Sequence, residues 1–101
     1  MYKDLLPIGS IVRLKGAERK LMVCGRIVCN EKADQIYDYV GCIYPQGIIG
    51  SSEMYFFNRD GIEEYHFIGF QDKEEMEYRH GVLDTLGELQ VVDGQIVPKE
   101  N

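Results

Sequence analysis

The sequence predicts a strand-rich α+β domain: about five antiparallel strands forming a half-open roll or SH3-like barrel, then a C-terminal helix and a short hairpin. Three observations carry this expectation. Up to residue 70, short runs of alternating apolar and polar residues are separated by Gly, Pro and Asn. At Asp72 the period changes to a helical one, behind an acidic capping sequence. Near the end, Asp93-Gly94 divides two short apolar runs. With 101 residues there is room for one domain, read as a body over 5–70, a helix within 71–88 and a hairpin over 89–98.

Each element has its own local reason. Pro7 fixes its own φ and pushes Leu6 toward an extended conformation. From Ser10 to Lys15, Val12 and Leu14 alternate with Arg13 and Lys15, which predicts a strand with one wet face. The stretch Gly16–Arg19 turns the chain into a second strand, Lys20–Cys29, which is apolar on both faces and so central or strongly curved. Gly25 within it predicts a bulge or a close backbone approach. Asn30–Gln35 is a polar loop, and Ile36–Tyr44 is a third strand. After a long loop with Gly47 and Gly50, Met54–Asn58 and Glu64–Phe70 supply the fourth and fifth strands, with a short helical turn at Asp60–Glu63.

The helix is expected from Asp72 to about Leu86, with Met76, Arg79, Leu83 and Leu86 in one stripe and Val82 beside it. Gly81 weakens it or ends it early. An isolated hairpin is marginal in water. The one at Leu89–Val97 must therefore dock on the domain, on a second copy or on another protein.

Charge and composition exclude several function classes. A net charge of −6 argues against nucleic acid, whose backbone is bound by clustered Lys and Arg. The basic knot Arg13, Lys15, Arg19, Lys20 straddles a hairpin and reads as a solvated strand face. The start shows no basic segment followed by an apolar stretch of signal-peptide length, and no run is apolar enough to insert in a membrane, so the expected location is the cytoplasm.

No catalytic residue, metal ligand or cofactor site is assigned, and the chain is read as a non-enzyme. Cys24 and Cys29 lie five apart, on opposite faces of a regular strand, which does not suit a tetrahedral zinc; a bulge at Gly25 would weaken that argument. Cys42 with His66 is the one nucleophile–base pairing the sequence leaves open, and no nucleophile elbow accompanies it. The run Gly47–Ser52 lacks the lysine a phosphate loop needs. Asp72, Glu74, Glu75 and Glu77 are explained by capping and solubility.

The aromatics are the more informative group. Tyr37, Tyr39, Tyr44, Tyr55, Phe56, Phe57, Tyr65, Phe67 and Phe70 all fall on the third to fifth strands. Some must fill the core, and an outward subset would give a Tyr-rich patch of the kind favoured at protein interfaces. The candidate protein-binding residues are Tyr37, Asp38, Tyr39, Tyr44 and Tyr55.

The stretch Leu5-Leu6-Pro7-Ile8-Gly9-Ser10-Ile11-Val12-Arg13-Leu14-Lys15-Gly16 resembles the opening of a small Gram-positive bacterial family of unknown function. The likeness continues through Lys20–Arg26, through Tyr37-Asp38-Tyr39-Val40-Gly41-Cys42-Ile43-Tyr44-Pro45-Gln46-Gly47, and through Tyr55-Phe56-Phe57-Asn58 to Gly69. Members tend to be encoded beside type VII secretion genes and LXG-type toxins. The resemblance thus implies an accessory, chaperone-like role that engages an LXG-type toxin or an export factor. It carries no catalytic residues. The competing expectations are an immunity or regulatory protein bound to a toxin's catalytic domain, and a small-ligand or enzymatic domain. A homodimer is one state the chain could take.

Overall fold

The computed structural model describes residues 2–30, 32 and 34–99. Five strands make one antiparallel sheet: β1 (Ile11–Leu14), β2 (Lys20–Cys29), β3 (Ile36–Tyr44), β4 (Tyr55–Phe57) and β5 (Ile62–Phe67). Their order is β4-β3-β2-β1-β5. The first four strands form a meander. A single 3-10 turn, Arg59–Gly61, then sends the chain back to pair β5 with β1. This is the connectivity of an SH3-like roll. It is half-open, because β4 and β5 end the sheet on opposite sides and are not paired to each other.

The bounds of β2 and β3 are those read from the sequence; β1, β4 and β5 are shorter, and β5 begins two residues earlier. The bulge expected at Gly25 is present. Pairing runs from Lys20↔Tyr44 to Val23↔Gly41, then resumes one residue out of step at Gly25↔Val40. A Cβ on Gly25 would lie 2.9 Å from Val40 Cγ1, so only glycine lets the strands meet there without displacing that side chain. Two residues on, Ile27 has φ 55°, a backbone that β-branched residues rarely adopt, and it adds to the curvature of β2.

The core is small. Leu5, Val12, Leu21, Val23, Tyr39, Phe57 and Ile62 form one buried cluster, with Tyr2, Leu6, Leu14, Ile27 and Ile43 against it. The segment before β1 therefore contributes to the packing as well as leading into it. Tyr39 and Phe57, opposite each other on β3 and β4, pack with ring centroids 5.2 Å apart. Ser10 is a fully buried polar residue: its hydroxyl donates to the Pro7 carbonyl at 2.8 Å and accepts from Gly69 N–H at 2.9 Å. This ties the approach to β1 to the exit from β5.

The helix α1 (Lys73–Gly81) is shorter than the expected span to Leu86. Asp72 caps it as predicted, its side chain accepting from Glu75 N–H at 2.9 Å. The chain leaves the helix at Val82, the residue after Gly81, and makes one 3-10 turn, Leu83–Thr85, where Thr85 Oγ1 donates to the Val82 carbonyl. The expected apolar stripe is corrected accordingly: Met76 and Val82 are exposed, and Leu83, in the 3-10 turn, is the buried member. No apolar residue of α1 is buried, so polar contacts hold it.

The hairpin β6 (Leu89–Val92) and β7 (Gln95–Pro98) turns at Asp93-Gly94, with φ 52° and 77°, as a two-residue primed turn requires. It docks in cis: β7 lies against β2 and β6 against β3. Among the described residues no helix is long and apolar enough to cross a membrane.

Candidate protein-docking surface

The five residues singled out in the sequence have different surroundings. Tyr39 is 1% exposed; its hydroxyl accepts from Leu6 N–H at 2.9 Å, so it offers a partner no surface. Burial, the leading cause, raises its phenol above the usual value. The Asp38 carboxylate accepts from Arg59 N–H at 2.9 Å and from Arg59 Nε at 3.1 Å, holding the 3-10 turn before β5. Tyr37 is half-buried, 5.7 Å from the Phe56 ring. Tyr44 and Tyr55 are exposed, and Tyr55 borders a shallow apolar recess with Leu14, Leu21 and Ile43. Two of the five therefore face outward.

A larger apolar surface lies at the far end of the sheet. Within β5 only Ile62 is buried, and every residue from Glu63 to Phe67 is exposed. Tyr65, Phe67, Ile68 and Phe70 are 59, 58, 45 and 79% exposed. One side of β5 pairs with β1, and among the described residues no strand pairs with the other. Its outer N–H and C=O groups are thus available for pairing with an added strand.

Beyond β5 the chain crosses the approach to β1 at Gly69, where an added Cβ would sit 2.2 Å from the Ile8 carbonyl oxygen. This close crossing sets Phe70 beside Ile8. With Tyr78, Asp72, Glu74 and Glu75 they line a groove of about 510 Å³ between the end of the sheet and the first turns of α1.

The groove wall is held by a network in which Arg26 of β2 donates to both Glu75 oxygens, at 2.7 and 2.9 Å, while Arg79 donates to Glu75 Oε2 at 3.0 Å. The Arg26 guanidinium also lies over the Tyr78 ring, 5.2 Å from its centroid. Arg79 reaches the Lys3 carbonyl as well. The hydrogen bond from Arg26 is the leading cause holding the Glu75 carboxyl below the usual carboxylate range. On β5, Glu64 is engaged by Arg13 at 2.8 Å and His66 at 3.1 Å, and the Arg13 contact likewise lowers its pKa.

The fold keeps Cys42 and His66 apart: β2 and β1 lie between β3 and β5, a separation of roughly 14 Å at ordinary strand spacing. Cys24 and Cys29 share no contact, and Cys24 instead meets Cys42, with sulfurs 3.4 Å apart. Among the described residues no group of three or more His, Cys, Asp or Glu is placed to hold a metal ion.

The exposed β5 surface was only partly visible in the sequence. The sequence places Tyr65 and Phe67 among the aromatics of the fifth strand, but their exposure depends on β5 ending the sheet.

Residues 5–78 match a domain of unknown function, DUF4176; this span covers the whole sheet and most of α1 and leaves the C-terminal hairpin outside. No curated protein and no solved structure matches the chain. The likeness read from the opening and central motifs is to a family of unknown function, and the chain belongs to the DUF4176 family.

Proposed function

We propose that this protein is a non-enzymatic accessory domain of bacterial type VII secretion that binds an LXG-type toxin or an export factor, taking up an extended partner segment along β5. The observation carrying this reading is the unpaired outer side of β5 together with the exposed rings of Tyr65, Phe67 and Phe70. Backbone pairing would supply the attachment, and alternate side chains would supply selectivity.

The groove extends that selectivity. Ile8, Phe70 and Tyr78 offer an apolar floor, with Asp72 and Glu74 at its rim. Asp72 is occupied in capping and Glu75 in its ion pairs, which leaves Glu74 as the rim carboxylate outside those contacts. A segment with alternating apolar residues followed by Lys or Arg fits this surface. The net charge of −6 favours approach of such a segment over long range. The secretion context comes from the resemblance of the LLPIGS and YDYVGCIYPQG stretches, while β5 and the groove support the mode of binding.

The test is co-expression with the LXG-type toxin of the same gene cluster, divided into its N-terminal and catalytic halves. Co-purification with the N-terminal half, abolished by Phe67→Arg, is the expected result. Binding confined to the catalytic half would replace this reading with immunity. Absence of binding to either half and to the export factors would remove it.

A further inference from the structure

Two thiols meet where β2 bulges. Register slips by one residue between Val23 and Gly25, which places Cys24 in the slip, outside the paired ladder. Its Sγ lies 3.4 Å from Cys42 Sγ on the neighbouring strand, and both cysteines are free. Cys42 is buried at 1% exposure, while Cys24 is half-exposed. Cys29, the third cysteine of the chain, is paired in register with Ile36, beyond the slip.

We propose that Cys24 and Cys42 form a redox-modifiable dithiol that is converted to an intrachain disulfide by a low-molecular-weight disulfide of the oxidised-glutathione class. Cys24, the more exposed of the two, loses its proton to solvent and attacks one sulfur of the oxidant. The oxidant's S–S bond breaks, one small thiol leaves after taking up a proton, and a mixed disulfide remains on Cys24. Cys42 then loses its proton and attacks Cys24 Sγ, expelling the second small thiol. Two protein thiols are oxidised by two electrons, and one small disulfide is reduced to two thiols. The sulfurs need only close from 3.4 Å to about 2.05 Å.

The surroundings set the pace of this exchange. Burial, helped by the neighbouring Cys42, pushes the Cys24 thiol up to about 11, so little thiolate is present near neutrality. The pair is thus slow toward mild oxidants. Its rate should rise about tenfold per pH unit through the range where an ordinary thiol, near 8.5, has already levelled off. The cross-link would staple β2 to β3.

The experiment exposes the full chain to oxidised glutathione, traps remaining thiols with an alkylating agent under denaturing conditions, and maps the peptides by mass. The expected product carries one alkyl group, no glutathione, and a Cys24–Cys42 linkage, with a mass lower by two hydrogens before alkylation. Cys29→Ser should give the same linkage, and Cys42→Ser, with its fold checked by circular dichroism, should stop at glutathione on Cys24. A linkage through Cys29, a stable glutathione adduct on the unaltered chain, or three surviving thiols under conditions that oxidise a control dithiol would each overturn the proposal.

Discussion

Arg26 and Glu75 join sheet to helix through two hydrogen bonds of 2.7 and 2.9 Å, with side chains only 8 and 12% exposed. Helix α1 buries no apolar side chain of its own, so this pair, with Arg79 on the same carboxylate, does the work an apolar stripe does in most surface helices. Removing the shared anion leaves two guanidinium groups without their counter-charge. Glu75→Ala should destabilise the fold by about 3 kcal/mol, whereas Arg26→Met with Glu75→Leu should recover much of the loss. Chemical denaturation of the three chains checks both statements.

The same pair sets a pH dependence. Because the Glu75 carboxyl is held below its ordinary value of 4.5 in the fold, the unfolded chain binds more protons in the interval between the two values. The stability this contributes is present above the ordinary carboxylate value and is lost as pH falls through the depressed one. Urea midpoints taken down a pH series should therefore fall more steeply for the unaltered chain than for Glu75→Ala.

Ser10 and Gly69 fasten the two passes of chain beneath the proposed docking surface. Ser10→Ala leaves the buried Gly69 N–H without its acceptor, while the Pro7 carbonyl keeps the backbone N–H of residue 10, and should cost about 2 kcal/mol. Gly69→Ala forces a methyl group against the Ile8 carbonyl and should cost about 3 kcal/mol. Thermal unfolding should rank the unaltered chain above Ser10→Ala, and Ser10→Ala above Gly69→Ala.

Tyr39 is a core residue with a polar end. Tyr39→Phe keeps the ring against Phe57 but leaves Leu6 N–H without its acceptor, for an expected loss of about 1–2 kcal/mol. Partner binding should be unchanged once the variant is folded, since the side chain is enclosed.

The opposite pattern is expected on β5. Tyr65→Arg with Phe67→Arg alters exposed side chains and should shift stability by less than about 0.5 kcal/mol. Affinity for an apolar, basic partner segment should fall at least about tenfold, as loss of aromatic anchors and repulsion between cations both predict. Titration calorimetry beside a melting curve separates the two effects.

Much of the fold is local and could be read along the chain. The bounds of β2 and β3, the irregularity at Gly25, the Asp72 cap and the Asp93-Gly94 turn all follow from short-range backbone and side-chain preferences. The strand-rich body, helix and hairpin appear in the expected order for the same reason. What only the assembled molecule decides is non-local. Alternation puts Tyr37 and Tyr39 on one strand face, yet Tyr39 fills the core and Tyr37 leans on Phe56, because β4 and the segment before β1 cover one ring more than the other. The helix is held to the sheet by Arg26, 49 residues before Glu75, and by charge instead of by an apolar stripe. The exposure of Tyr65 and Phe67 follows from β5 returning to β1 and ending the sheet, and the Cys24–Cys42 contact from strand register. Propensity acts over a few residues, whereas neighbours across a sheet are set by topology.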